Sequence, residues 1–209
     1  MTKTKKILIA IAVLLLVILL SAMMFACKRK QFAAVPDYRT LGPAKAPITI
    51  VEFTDMQCPA CARGHGALGE ILRIYGGNVR VELKHYPLEM HRWSVQSAVA
   101  AECAGRQGKF WQYADQLFVN QQQWGEQEQE PEAYFEAYAM NSGGINMPVF
   151  AACRKDPGLR GAVLSDRTEG EKHGVDSTPT FFVNGKMLKG GRALLEETAG
   201  FDSIIKRRK

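Results

Sequence analysis

The most informative part of this 209-residue sequence is the run Thr49-Ile50-Val51-Glu52-Phe53-Thr54-Asp55-Met56-Gln57-Cys58-Pro59-Ala60-Cys61. An apolar strand with one acidic interruption leads into a turn, and a Cys-x-x-Cys motif stands where a helix would begin. Pro59 suits the first helical position, because its missing N–H would have no partner there. Cys58 would then lie at a helix N-terminus, where unpaired N–H groups and the helix dipole favour a thiolate. The run therefore predicts a site that exchanges disulfides.

The same motif could be half of a zinc site, which needs a second pair of Cys or His ligands at similar spacing. The other cysteines, Cys27, Cys103 and Cys153, are isolated, and the four histidines are scattered. Ligand spacing thus favours disulfide exchange over metal binding. We expect no metal and no cofactor beyond the redox-active pair itself. Two cysteines that merely pack in a core are less favoured still, because Pro59 places them at an exposed turn.

The N-terminal segment, residues 1–30, predicts a membrane anchor. Ile7 to Ala26 carries no charge over 20 residues, which is long enough to cross a hydrocarbon core of roughly 30 Å. A cleaved signal peptide has an apolar core of only about 7–15 residues, so an uncleaved signal anchor is favoured. Lipidation at Cys27 is the alternative, although Phe25 suits a lipoprotein signal poorly.

Orientation of the anchor does not follow from charge, because basic residues flank the apolar run on both sides and the positive-inside rule is nearly tied. An oxidising dithiol is useful outside the cytosol. We therefore expect a single-pass protein of the cytoplasmic membrane whose catalytic domain faces the periplasm or the cell exterior.

The net charge of +6 does not indicate nucleic-acid binding. Six of the 27 basic residues lie in the first 30 positions, where none of the 21 acidic residues lies. The remainder of the chain, from Gln31 onward, is therefore neutral overall. We expect no nucleic-acid partner.

The rest of the chain alternates strand and helix signals. Residues 31–47 contain three prolines and predict a tether. Residues of about 90–170 read as helical, with a polar surface loop at 121–130. Expected strands and helices around this block are Ile48–Thr54, Pro59–Tyr75, Val79–Tyr86, Thr180–Val183, Lys186–Leu188 and a last helix that buries Leu194, Leu195, Phe201, Ile204 and Ile205. The Asn184-Gly185 pair between two apolar runs predicts a hairpin.

This order of elements resembles the thioredoxin superfamily, and the helical block resembles its DsbA-type branch of thiol:disulfide oxidoreductases. The likeness covers about residues 47–205. Its specific parts are Cys58-Pro59-Ala60-Cys61, Phe110-Trp111, and Thr178-Pro179-Thr180-Phe181-Phe182-Val183-Asn184-Gly185. It implies an α/β thioredoxin-like domain over residues 48–209 with a helical insertion at about 90–170, preceded by one transmembrane helix.

The resemblance also implies roles for individual residues. Cys58 would be the exposed attacking cysteine, Cys61 the buried resolving one, and Pro179 a cis-proline that faces the disulfide, with Thr178 before it. The alternative for Pro179 is an ordinary turn proline. Glu52 would be a buried acid that exchanges a proton with Cys61. Its alternative is a carboxylate in water at a sheet edge.

Further assignments concern residues outside the motif. Lys84 on the second strand is a candidate partner for Glu52. Cys103 and Cys153 both lie in the helical block, and two unpaired cysteines are unusual in an oxidising compartment. We therefore expect a structural disulfide between them, with buried free thiols as the alternative. The histidines His85, His91 and His173 are assigned no role.

The expected function is an extracytoplasmic dithiol oxidase that introduces disulfides into exported proteins with free thiols. By family analogy, a quinone-linked membrane partner would reoxidise it. Strongly oxidising members often have His where this chain has Ala60, so a tethered reductase or isomerase is the nearest alternative. A non-enzymatic chaperone and a copper-binding protein are alternatives from other classes.

Overall fold

A computed structural model describes residues 32–207 of the chain. The strands are β1 Thr40–Leu41, β2 Ile48–Thr54, β3 Val79–His85, β4 Thr180–Val183 and β5 Lys186–Lys189. The helices are α1 Pro59–Tyr75, α2 Ser94–Gly105, α3 Phe110–Val119, α4 Gln121–Gly125, α5 Glu132–Asn141, α6 Met147–Arg154, α7 Pro157–Lys172, α8 Gly190–Glu197 and α9 Phe201–Lys206. The predicted anchor, Ile7 to Ala26, lies outside the described residues, and no helix within them is long and apolar enough to cross a membrane.

The five strands form one sheet in the order β1-β3-β2-β4-β5. The central strand, β2, runs parallel to β3 and antiparallel to β4. On one face of the sheet, Ile48 and Ile50 pack with Leu68 and Ile71 of α1. Because side chains alternate along a strand, Glu52 points to the same face. The strand thus carries its one acidic residue underneath the helix that begins with the Cys-x-x-Cys motif.

The opposite face of β2 is covered by the helical block. Phe53 packs edge-to-face against Tyr86 and Phe182, with ring centroids 6.3 and 5.9 Å away. Gly170 of α7 allows this helix to approach closely, since a Cβ there would lie 2.9 Å from the rings of Phe53 and Tyr86. The helices between β3 and β4 therefore rest directly on the sheet, as the predicted insertion at about 90–170 requires.

Two local predictions differ from the structure. The polar interval at 121–130 begins with helix α4 rather than a loop, because Trp124 is fully buried and its indole N–H donates to the Leu117 carbonyl at 2.8 Å. The predicted last helix is two helices, α8 and α9. Leu194 and Phe201 are buried as expected, but Leu195 is 44% exposed, so its inward orientation was wrong.

Part of the segment that the sequence assigns to a tether is packed into the domain. Strand β1 pairs with β3, and Arg39 is buried and forms ion pairs with Glu102, at 3.2 Å, and with Asp166. The Tyr38 hydroxyl donates to Glu102 at 2.7 Å. Partners so far along the chain leave no local pattern, which is why the sequence did not reveal this packing.

A disulfide joins Cys103 of α2 to Cys153 of α6. This is the pairing that the sequence favoured over free thiols. It closes a loop of 50 residues within the helical block, where a bond of this kind contributes about 2–4 kcal/mol of stability. The bond ties together two helices that line the same core.

Candidate active site

The two motif cysteines lie at the start of α1, as their spacing predicts. Cys58 is the N-cap residue and Pro59 occupies the first turn. The Cys58 carbonyl accepts hydrogen bonds from the backbone N–H groups of Cys61 at 2.9 Å and Ala62 at 3.2 Å. Cys58 is 7% exposed and Cys61 is fully buried. Neither is bonded to another cysteine, so the geometry is that of the dithiol.

The two thiols differ in pKa because their surroundings differ. A hydrogen bond from Cys61 lowers the pKa of Cys58 to about 5 against the opposing effect of burial, with further lowering from Thr178 and from the N–H groups of Cys61 and Ala60. Burial and the neighbouring Cys58 raise the pKa of Cys61 well above its usual value. At neutral pH the first sulfur is therefore a thiolate and the second a thiol. This is the division that an attacking and a resolving cysteine require.

The Thr178-Pro179 bond is cis, as the resemblance implies. This loop faces the motif, because the Cys58 sulfur lies 3.7 Å from the Thr178 carbonyl oxygen, to which it can donate only when it is protonated. Gly64 of α1 makes the close approach possible: a Cβ there would lie 2.8 Å from Pro179 Cγ. Together with the cysteines, the loop thus forms one surface drawn from two distant parts of the chain.

Glu52 is completely buried beneath this surface. Neither of its carboxyl oxygens has a hydrogen-bond partner among the described residues. Burial raises the pKa of Glu52 to about 7, although His65 and Thr54 oppose the rise. A carboxyl with that pKa can both accept and return a proton at neutral pH. The alternative of a carboxylate in water at a sheet edge is wrong.

Lys84, the candidate partner of Glu52, lies elsewhere in the structure. Its ammonium group donates to Glu169 at 2.6 Å and to the carbonyl of Ala33 at 2.8 Å. Lys84 is the register partner of Phe53, whereas Glu52 pairs with Leu83. Because neighbouring residues of a strand face opposite ways, Lys84 and Glu52 are on opposite faces of the sheet.

Several residues that the sequence analysis did not single out hold the motif in place. Gln121 of α4 donates to the carbonyls of Met56 and Cys58, at 2.8 and 3.0 Å. The side chain of Gln57 donates to the Gly125 carbonyl and accepts from the Trp93 N–H, both at 2.7 Å. Neither glutamine has a local signature in the sequence.

A second acidic residue, Asp55, lies between Glu52 and the motif. Its buried carboxylate accepts from the Gln57 and Leu88 N–H groups at 2.8 and 2.9 Å, and lies 2.7 Å from Nδ1 of His91. His91 lines a cleft together with Pro59 and Gln121. The sequence places His91 in the loop that follows β3, but no sequence pattern connects His91 to the cysteines. Within residues 32–207, no cluster of three His, Cys, Asp or Glu side chains could hold a metal ion.

Comparison with known proteins agrees with this fold. A thioredoxin family model matches residues 34–206. The chain belongs to the thioredoxin family. Its fold is that of the DsbA-like thiol:disulfide oxidoreductases.

Two solved structures illustrate the likeness. The chain superimposes on α-DsbA1 of Wolbachia pipientis with a TM-score of 0.72 at 20% sequence identity, covering 84% of this chain and 94% of that one. DsbA2 of Pseudomonas aeruginosa gives a TM-score of 0.61 at 26% identity, covering 78% of this chain and 94% of that one. The first match, at 20% identity, shows the shared fold alone. The second match has the same fold at 26% identity.

Among curated proteins, the chain is similar to the Na(+)/H(+) antiporter NhaA 1 of Mycobacterium sp. strain KMS, with 34% identity over 152 residues. That match covers 71% of this chain but only 24% of the antiporter. The chain therefore spans about a quarter of the length of the curated relatives it matches.

Proposed function

We propose that this protein is a dithiol oxidase that introduces disulfides into exported proteins. The observation that carries the proposal is the position of Cys58 at the N-terminus of α1 beside the fully buried Cys61. Hydrogen bonds there lower the pKa of Cys58 to about 5, and burial raises that of Cys61. Stabilising the Cys58 thiolate stabilises the reduced form of the pair. A pair whose reduced form is stabilised gains electrons more readily, and is therefore a stronger oxidant.

The proposed reaction begins with the Cys58–Cys61 disulfide. A substrate thiolate attacks the Cys58 sulfur, forming a substrate–Cys58 bond and breaking the bond to Cys61. The Cys61 sulfur leaves with the electron pair and takes a proton, which the protonated Glu52 carboxyl beneath it can supply. A second substrate thiolate then attacks the substrate sulfur of the mixed disulfide and releases Cys58 as a thiolate. The substrate loses two electrons and the protein gains them as a dithiol.

The Thr178-Pro179 loop would orient the substrate during this exchange. Its Thr178 carbonyl lies 3.7 Å from the Cys58 sulfur, so an extended substrate bound along the loop would present its cysteine to Cys58. Backbone groups of such a loop can pair with a peptide as an added strand. Recognition of this type depends little on substrate side chains, which suits an enzyme with many substrates.

The proposed location is the outer side of the cytoplasmic membrane, with Ile7 to Ala26 as the anchor. The Cys103–Cys153 disulfide supports this location, since structural disulfides persist in oxidising compartments. Turnover requires an oxidant for the Cys58–Cys61 dithiol. A quinone-linked membrane protein would accept the two electrons and restore the disulfide.

The test is the reduction potential of the Cys58–Cys61 pair, measured in the excised domain by equilibration with glutathione. An oxidase predicts a value well above about −300 mV, near or above the extracytoplasmic poise of about −200 mV. A value at or below about −270 mV, the potential of thioredoxin, would make the protein a tethered reductase instead. Full biological function in a Cys58→Ser variant would refute both and support a chaperone.

A further inference from the structure

The carboxylate of Asp55 places a buried negative charge next to the reactive sulfurs. Its side chain is completely shielded from solvent, and its own backbone N–H donates to the Cys61 sulfur at 3.4 Å. An unbalanced negative charge in this position would oppose formation of a thiolate on Cys58. The structure supplies the balancing charge in the form of His91, whose Nδ1 lies 2.7 Å from Asp55.

His91 also faces the entrance of the site. Its side chain is 15% exposed, and it lines the cleft that Gln57, Pro59 and Gln121 form beside Cys58. The hydrogen bond to Asp55 raises the pKa of His91 above its ordinary value of 6.5 despite partial burial, and the charges of Asp55 and Cys58 add to the rise. An imidazolium is thus favoured beside Asp55 and within electrostatic reach of Cys58.

Other charged groups around His91 are more exposed. Its own loop contributes Glu89 and Arg92, helix α7 contributes Arg160 and Arg167, and Glu126 follows α4. Arg167 is already paired with Glu89 at 2.8 Å. Because charges in water are screened within about 8–10 Å at ordinary ionic strength, the buried Asp55 and Cys58 dominate the field at His91.

We propose that His91 is a positioning residue for the thiol chemistry of Cys58: its imidazolium neutralises Asp55 and holds Cys58 as a thiolate, so that reactivity depends on the protonation of His91. The inference rests on the proposed thiol–disulfide exchange at Cys58 but not on its direction. Ala60 offers no side-chain donor between the two cysteines. A loop 36 residues from Asp55 supplies the cation instead.

The first test needs no substitution. In the full-length wild-type protein, the pKa of His91 is measured by NMR of its ring in the reduced form and in the Cys58–Cys61 oxidised form, with His173 as the internal reference. Coupling between two groups is reciprocal, so oxidation, which removes the thiolate, is expected to lower the pKa of His91. Equal pKa values of His91 in the two forms would overturn the proposal.

The second test compares His91→Gln with His91→Lys in the full-length protein, using His173→Gln as the matched control. The pKa of Cys58 is read from the pH dependence of its alkylation rate, with mass spectrometry identifying the Cys58 peptide. Gln is expected to raise the midpoint by about half a unit or more, which is a threefold change in the ionisation constant. Lys is expected to keep the midpoint low, and His173→Gln to leave it unchanged.

Equal upward shifts with Gln and Lys would show that His91 acts through packing alone, and no shift with Gln would show that it does not act on Cys58. Either result refutes the proposal. The proposed oxidase direction is judged separately by the glutathione measurement. A thioredoxin-like potential together with the expected His91→Gln shift would therefore refute the oxidase and leave the role of His91 intact.

Discussion

The free energy of unfolding of the reduced domain is expected to increase, relative to that of the oxidised domain, as pH rises from 5 to 8. In the folded dithiol the pKa of Cys58 is about 5, against an ordinary value of 9.0. Between these values the unfolded chain binds a proton at Cys58 that the folded chain has released, so the free energy of unfolding increases with pH. The contribution is fully present above pH 9 and is lost as pH falls through 5.

The magnitude follows from the size of the shift. Each pH unit in this range adds about 1.4 kcal/mol, so the contribution at pH 7 is about 3 kcal/mol. The same free energy makes the pair more oxidising by about 60 mV than one with an ordinary thiol pKa. The oxidised domain has no Cys58 thiol, so its free energy of unfolding does not include this contribution. Glu52 titrates in both forms, so its effect largely cancels in their difference.

The assay is urea unfolding of the oxidised and reduced domain at pH 5, 6, 7 and 8. A count of two free thiols per excised domain verifies that Cys103–Cys153 stays intact. The difference in unfolding free energy, reduced minus oxidised, should rise by about 1.4 kcal/mol per pH unit. The raised pKa of Cys61 changes the free energy of unfolding only above about pH 9, where the unfolded chain loses this proton, and so lies outside this window. Cys58→Ser forms no Cys58–Cys61 disulfide, so its unfolding free energy is compared at each pH with that of the oxidised wild type, and this difference should not change with pH. A flat difference between reduced and oxidised wild type would refute the reasoning.

Three further predictions concern other residues. Gly64→Ala should destabilise the domain by about 1–3 kcal/mol, because the added methyl group would clash with the Pro179 ring. Gly66→Ala, whose added methyl group meets no atom within 4 Å, should instead stabilise the domain by about 0.5–1 kcal/mol. Thermal unfolding of both variants checks this prediction. Glu52→Gln should slow resolution of a Cys58–glutathione mixed disulfide by about tenfold or more, and stopped-flow measurements should lose the inflection near pH 7. Arg39→Met should cost about 3 kcal/mol in urea unfolding, because it removes the cation between the buried Glu102 and Asp166 and leaves them the donors Tyr38 and His85. Arg73→Met, which removes a fully exposed ion pair with Glu70, should leave the unfolding midpoint nearly unchanged.

Local signals in the sequence predicted the framework of the site well. Strand β2 and helix α1 have the expected bounds because an apolar run and Pro59 mark them directly. The hairpin turn at Asn184-Gly185 has the positive φ values, 49° and 90°, that this pair favours. The resemblance to the thioredoxin superfamily, and not a local pattern, implied that Thr178-Pro179 faces the cysteines.

Other parts of the site depend on contacts between residues far apart in the chain. Gly64 reads as a residue that weakens a helix, yet the structure uses its missing side chain to bring α1 against Pro179. The partner of Asp55 lies in a loop after a different strand. Such pairings follow from how α1, β3 and the helical block meet, which no local pattern specifies. Tertiary packing therefore sets the chemistry that the motif alone leaves open.

Glu52 and Asp55 show how closely that chemistry depends on backbone position. Both are buried acids within three residues of each other, but only Asp55 follows the strand into the turn, where N–H groups and His91 reach its oxygens. Glu52 is still within β2, where the backbone donors are used in the sheet and its carboxyl has no partner among the described residues. The Asp55 side chain is thus surrounded by donors beside the Cys61 sulfur. Burial raises the pKa of Glu52 to about 7, where a carboxyl can exchange a proton with Cys61. Strand β2 and the turn after it thus place two acidic residues with different roles near the cysteines: Asp55, which pairs with His91, and Glu52, which can exchange a proton with Cys61.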